Sequence, residues 1–148
     1  MSHIEPICKK LYPDLIDNGV GIDSYKAFTV EYNGNKNVAN PDLELGTHFD
    51  NCEVTLNIPL TSSEQDYDGS ELYFEYKNGF KSLHMEVGRG ILHSGRHVHG
   101  VMPIEEGYRH NVIIWIRSSE VRNKVCPMCN EVPILKTVQG TTGDGFTM

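Results

Sequence analysis

Glu53-Val54-Thr55-Leu56-Asn57-Ile58-Pro59-Leu60 alternates between two sets of residues, with Val54, Leu56, Ile58 and Leu60 on one side and Glu53, Thr55, Asn57 and Pro59 on the other. A period of two marks a strand with one packed face and one face free for polar chemistry, which suits the wall of a barrel. The same period recurs around it, so strands are expected near Tyr25–Tyr32, Glu71–Tyr76, Leu83–Val87, Gly90–Leu92, His97–Met102 and Tyr108–Arg117. Turn signals at Asn33-Gly34-Asn35, Asp68-Gly69-Ser70 and Asn78-Gly79 separate these runs without intervening helices. Seven or eight strands in close succession imply a mainly β protein: a sandwich, barrel or jelly roll. Only the opening differs. Ile4, Ile7, Cys8 and Leu11 share one helical face, and Pro6 falls in the first turn where its missing N–H is tolerated, so a short N-terminal helix is expected.

The chain has 148 residues, 39% hydrophobic and 22% charged, a composition that excludes disorder except at the ends and favours one folded core. A helical segment over 1–24, a β domain over 25–118 and a C-terminal tail over 119–148 are the expected divisions, with Gly140-Thr141-Thr142-Gly143-Asp144-Gly145 mobile. A net charge of −7 without a basic run argues against nucleic-acid binding. The apolar run Val112-Ile113-Ile114-Trp115-Ile116 is far short of the ~20 residues that cross a bilayer, and Met-Ser-His-Ile-Glu lacks a signal pattern. A cytoplasmic protein without a membrane partner is the expectation. Of four cysteines, Cys8 and Cys52 stand alone and only Cys126 and Cys129 are close, so no disulfide framework is indicated.

The histidines carry the chemical signal. His93, His97, His99 and His110 fall within eighteen residues, and His48-Phe49-Asp50 places an imidazole and a carboxylate two apart. Such a triplet recurs by chance, but on a strand or strand end residues i and i+2 project to one side and can serve one ion. A second imidazole from a distant strand, for which His99 is the candidate, would complete a two-His, one-carboxylate site with open positions on a divalent iron. Ten residues beyond His99, Arg109 begins an apolar strand. A buried arginine needs a partner, and its planar fork fits a carboxylate, so a dicarboxylate co-substrate would satisfy it.

Three stretches in order resemble the iron- and 2-oxoglutarate-dependent dioxygenases, most of all the prolyl 4-hydroxylase and procollagen lysyl hydroxylase branch. They are His48-Phe49-Asp50 running into the strand to Leu60, Asp66-Tyr67-Asp68-Gly69-Ser70-Glu71-Leu72-Tyr73-Phe74-Glu75, and His93-Ser94-Gly95-Arg96-His97-Val98-His99-Gly100 followed by Gly107-Tyr108-Arg109. Val125-Cys126-Pro127-Met128-Cys129 resembles the end of the 2-oxoglutarate and iron-dependent oxygenase domain-containing proteins. The resemblance implies a double-stranded β-helix (jelly roll) in which His48, Asp50 and His99 hold Fe(II) and Arg109 pairs with the distal carboxylate of 2-oxoglutarate. Tyr32 and Asn57 match positions that help line the co-substrate pocket. It further implies dioxygen as co-substrate, ascorbate as an accessory reductant, release of succinate and CO2, and hydroxylation of a lysyl or prolyl side chain in a protein or peptide.

Blander readings stand beside these. His48 and Asp50 can form a surface turn, Arg109 can pair with an internal Glu, and Asn57 can be satisfied by backbone. For His97 and His110 an ordinary strand position is the better reading, and His93 and Arg96 are not expected ligands. Cys126 and Cys129 can be half of a zinc site, a reducible pair or plain loop, but zinc needs four ligands and no second C-x-x-C exists. The competing function is a β-helix that binds metal or co-substrate without turnover, and a third is a cupin-like metalloenzyme that needs no 2-oxoglutarate.

Overall fold

A computed structural model of the chain describes residues 3–16, 21–126 and 129–134. In chain order its elements are the helices α1 (Glu5–Leu11) and α2 (Pro13–Ile16), then strands β1 (Ser24–Asn33), β2 (Leu45–His48), β3 (Val54–Pro59), β4 (Tyr67–Gly69), β5 (Leu72–Tyr76), β6 (Gly79–Leu83), β7 (Ile91–Ser94), β8 (His99–Val101) and β9 (Ile104–Arg117), and finally α3 (Ser119–Arg122). One sheet runs β1-β9-β3-β7, with β4 also on β9, and the other runs β2-β8-β5-β6. Every pairing is antiparallel, and two such sheets face to face make the mainly β jelly roll that the sequence implies.

The period of two at 53–60 does in the structure what it suggests in the sequence. Val54 and Leu56 face outward from the larger sheet and pack with Cys8, Ile16, Ile22, Leu92, Ile114 and Ile116 under the two N-terminal helices. Thr55 and Asn57 face the other way, into a cavity between the sheets. A second cluster of Tyr32, Tyr67, Leu72, Phe74, Met85, Val101 and Ile104 fills the remaining space between them.

Several expectations shift. The N-terminal helix forms, but Ile7 and Leu11 are 52% and 53% exposed. Its contact with the sheet comes instead from Ile4, Cys8 and Tyr12, four apart, continued by Leu15 and Ile16. The strand expected at Leu83–Val87 lies earlier, at β6, because the Lys77-Asn78 turn pairs Tyr76 with Gly79 and fixes the register from there. Met85 is buried without a strand around it. β2 and β4 were not expected, β7 reaches two residues further to Ser94, and β9 begins at Ile104 rather than at Tyr108. Gly140–Gly145 lies outside the described residues.

β9 accommodates three partner strands by bending at Gly107, whose φ is +82°. A Cβ there would lie 2.1 Å from the Asp66 carbonyl oxygen, so only glycine allows β4 to approach.

Candidate metal centre

His48 ends β2 and His99 begins β8, and the two residues are direct cross-strand partners. Asp50 lies on the loop between β2 and β3, buried, and its carboxylate faces both rings: Oδ1 is 3.6 Å from His48 Nε2 and Oδ2 is 3.5 Å from His99 Nε2. One donor atom from each of the three falls within 4.8 Å of the others, the only such metal-competent group among the described residues.

The surroundings fix which atoms are offered. His48 Nδ1 is 2.8 Å from the Gly46 carbonyl oxygen and His99 Nδ1 is 2.7 Å from that of His97. A carbonyl can only accept, so each Nδ1 carries the proton and each Nε2 presents a bare lone pair. Two lone pairs and a carboxylate converge on one point, an arrangement that repels itself until a cation occupies it. The donor set is that of a facial two-His, one-carboxylate centre with open positions, which fits Fe(II). Asp50 is held by the Thr55 hydroxyl on Oδ2 and by its own N–H to the Gly95 carbonyl at 2.9 Å. Burial pushes its pKa up, but the adjacent His48 ring, the Thr55 hydroxyl and the neighbouring imidazoles of His99 and His93 outweigh this and hold it below the usual carboxylate value. The adjacent Asp50 carboxylate raises the pKa of His48, whereas burial lowers that of His99.

A third imidazole lies beside them. His93, on β7 opposite Thr55, has its Nε2 3.9 Å from Asp50 Oδ2 and its Nδ1 3.0 Å from the Ser94 carbonyl. Burial pushes its pKa down to about 4. The unfolded chain therefore binds a proton below about pH 6.5 that folded His93 refuses until about pH 4. That contribution to stability is complete above 6.5 and falls by about 1.4 kcal/mol per pH unit through the window, or about 2 kcal/mol by pH 5. Denaturant titrations of the metal-free protein should show this loss, and His93→Phe should flatten it.

The cavity that opens from the three residues has a volume of about 430 Å³. Its floor is the inner face of the larger sheet, read as rows across the strands: Lys26, Trp115, Thr55 and His93, then Phe28, Ile113, Asn57 and Ile91, then Val30 and Asn111, then Tyr32 and Arg109. The metal-competent end and the arginine thus lie at opposite ends of one floor. Arg109 is 1% exposed, and no carboxylate among the described residues is within ion-pair range of it. Its Nη1 donates to the Ser70 carbonyl at 2.8 Å and to the Ser70 hydroxyl at 3.3 Å, while Nε has no partner. Burial lowers its pKa, the Tyr32 ring lies 5.5 Å from Cζ, and Ser70 presents its carbonyl from a left-handed φ of 57°. A buried cation short of an anion at the end of a cavity has the chemistry to accept a carboxylate.

Asn57 and Tyr32 both line the cavity, and Asn57 Oδ1 accepts from Asn111 Nδ2 at 2.6 Å. His97 and His110 stand outside the cluster, although the carbonyl of His97 orients His99. Cys126 and Cys129 belong to no cluster of three metal-competent groups among the described residues. The sequence reading missed Thr55 and Asn111 as parts of the site. Thr55 carried a signal, since it shares the polar side of β3 with Asn57, whereas Asn111 is legible only through its pairing with β1 and β3.

Gly95 is the loop's contact with the opposite turn. A Cβ on it would lie 2.1 Å from the Cys52 carbonyl oxygen and 3.0 Å from that of Asp50. Gly95→Ala should therefore destabilise the fold by about 2–3 kcal/mol. Thermal denaturation should show a fall in midpoint of roughly 8 °C.

No protein-family model matches the chain. It is 41% identical over 153 residues to 2-oxoglutarate and iron-dependent oxygenase domain-containing protein 2 of Xenopus tropicalis, a match covering 99% of this chain and 41% of that protein. A PKHD-type hydroxylase of Variovorax paradoxus is 34% identical over 84 residues, covering 54% of this chain and 37% of the relative. The chain thus spans about two fifths of the length of these curated relatives. In fold it is similar to a Trichoplax adhaerens prolyl hydroxylase solved with a peptide fragment of the hypoxia inducible factor oxygen degradation domain. That match has a TM-score of 0.56 at 18% identity, over 80% of this chain and 56% of the other. With a jelly roll, a two-His, one-carboxylate cluster and likeness along nearly its whole length, the chain belongs to the iron- and 2-oxoglutarate-dependent oxygenases.

Proposed function

We propose that the chain forms the catalytic core of an Fe(II)- and 2-oxoglutarate-dependent hydroxylase, acting on an unactivated C–H of a lysyl or prolyl side chain in a protein or peptide. The observation that carries this reading is the buried Arg109, without a carboxylate partner among the described residues, across one cavity floor from His48, Asp50 and His99. Bound iron supplies the coupling of two oxidations: 2-oxoglutarate and dioxygen give succinate and CO2, and the second oxygen atom enters the substrate C–H to give an alcohol.

The chain's own residues bind and orient. His48 and His99 are held as Nε2 donors by the Gly46 and His97 carbonyls, and Thr55 fixes the Asp50 carboxylate. Arg109 receives the distal carboxylate of 2-oxoglutarate, with Asn57 and Tyr32 along its flank. Phe28 and Trp115, ring centroids 5.1 Å apart, wall the cavity with apolar surface and limit water. No side chain needs to act as acid or base. The prolyl hydroxylase of similar fold was solved with a peptide, which supports a peptide or protein substrate. We place the protein in the cytoplasm, where the buried thiols of Cys8 and Cys52 would stay reduced. No helix among the described residues is long and apolar enough to cross a membrane.

Anaerobic titration with Fe(II) and then 2-oxoglutarate should produce the visible charge-transfer band of a chelated keto acid, and admission of air should convert 2-oxoglutarate to succinate. Saturable binding without succinate would replace this reading with that of a non-catalytic module.

A further inference from the structure

The two histidines of the centre are fixed by paired strands, but Asp50 is not: it sits on a loop, and contacts of that loop decide where its carboxylate points. The inner side of the loop is held by Thr55 and Gly95. Its outer side is held from beyond the last strand. Arg122, on α3 and 3% exposed, donates from Nε to both carboxylate oxygens of Glu53, at 2.9 and 3.0 Å, and from Nη1 to the side-chain oxygen of Asn51. Asn51 is the residue next to Asp50, and Glu53 closes the same loop. The Ser118 N–H adds a bond of 2.7 Å to Glu53 Oε2, and α3 is itself anchored by Ser119 on Asp23.

We infer that Arg122 is a positioning residue for the metal centre: its guanidinium, by gripping Asn51 and Glu53 together, sets the place of the Asp50 carboxylate and thereby the affinity and geometry of the bound ion. This rests on the reading of Asp50 as a ligand. One planar group spans both contacts, which a lysine ammonium cannot reproduce, so the effect belongs to the fork and not to charge alone. Partners that orient a ligating carboxylate are worth roughly 10–100-fold in metal affinity.

The test is titration of the full chain with Co(II), a spectroscopic stand-in for Fe(II), at a temperature well below unfolding, with the unfolding midpoint of each metal-free variant measured alongside. The variants are Arg122→Lys, the double substitution Glu53→Leu with Arg122→Met, and His99→Ala as the control for the centre. The apolar pair replaces the buried ion pair with groups of similar volume, so the fold should be kept, with a midpoint lowered only by the Ser118 N–H that loses Glu53. It should nevertheless bind Co(II) roughly 10–100-fold more weakly, with a shifted visible band. Arg122→Lys should show a smaller loss of the same kind. Wild-type affinity and spectrum in the double variant would overturn the inference and leave the ion pair a purely structural feature. Should the double variant not fold, Arg122→Lys decides alone: unchanged affinity and band overturn it. If wild type takes up no Co(II), or His99→Ala takes it up equally well, the metal centre itself falls and the positioning role with it, a pattern distinct from the others.

Discussion

His99→Ala is expected to abolish measurable Fe(II) uptake, weakening the site by roughly a thousandfold or more, about 4 kcal/mol, and to remove all 2-oxoglutarate consumption with it. The ring that would be lost donates its Nδ1 proton to the His97 carbonyl and turns its Nε2 lone pair toward Asp50 at 3.5 Å. His48 and Asp50 alone leave the ion two protein ligands, and the cavity offers no described side chain that brings a third donor into the same group. Equilibrium dialysis against Fe(II) under argon reads the loss directly. Uptake equal to wild type would mean that metal is held elsewhere.

Arg109→Ala should leave Fe(II) uptake intact and raise the 2-oxoglutarate concentration at half-saturation by about 100-fold or more, near 3 kcal/mol. The size follows from burial: a guanidinium with 1% exposure meets a carboxylate away from water, and removing it strands the carboxylate's charge in an apolar pocket. Arg109→Lys should recover part of the affinity, because the charge returns without the fork. Both are read from the charge-transfer band in the anaerobic titration. Unchanged half-saturation in Arg109→Ala would point to a metalloenzyme that uses the same ligands without 2-oxoglutarate.

How far the fold could be read depended on whether a segment announces itself or is defined by its partner. The alternation over 53–60 has its own period, so β3 and its two faces were legible, as was the long apolar β9. β2 and β4 have no such period. Leu45-Gly46-Thr47-His48 is a short edge strand, and Tyr67-Asp68-Gly69 reads as a turn and becomes a strand only by pairing with β9. Leu83, Met85 and Val87 misled for the opposite reason: they alternate, but beyond Leu83 no neighbour pairs with them.

The site divides in the same way. An H-x-D triplet, a histidine and an arginine ten residues on form a pattern in one dimension, and the fold brings His48, Asp50 and His99 together around one point. The grip of Arg122 on Glu53 spans 69 positions, and of the thirteen lysines and arginines in the sequence only Arg109 is marked as buried, by the apolar strand it begins. Only the packed chain tells which of them reaches the loop.

β9 is a strand of fourteen residues whose inward positions carry Arg109, Asn111, Ile113 and Trp115, while its other face supports the helices. Such a strand behaves like a reading frame. Exchanges of one outward side chain for another are tolerable, but a single residue inserted between His110 and Asn111 would turn Arg109 away from the cavity while β1 and β3 kept the rest in place. Two inserted residues would restore its direction and displace it by about 7 Å along the strand. Lineages carrying this barrel are therefore free to change the composition of β9 long before they can change its length.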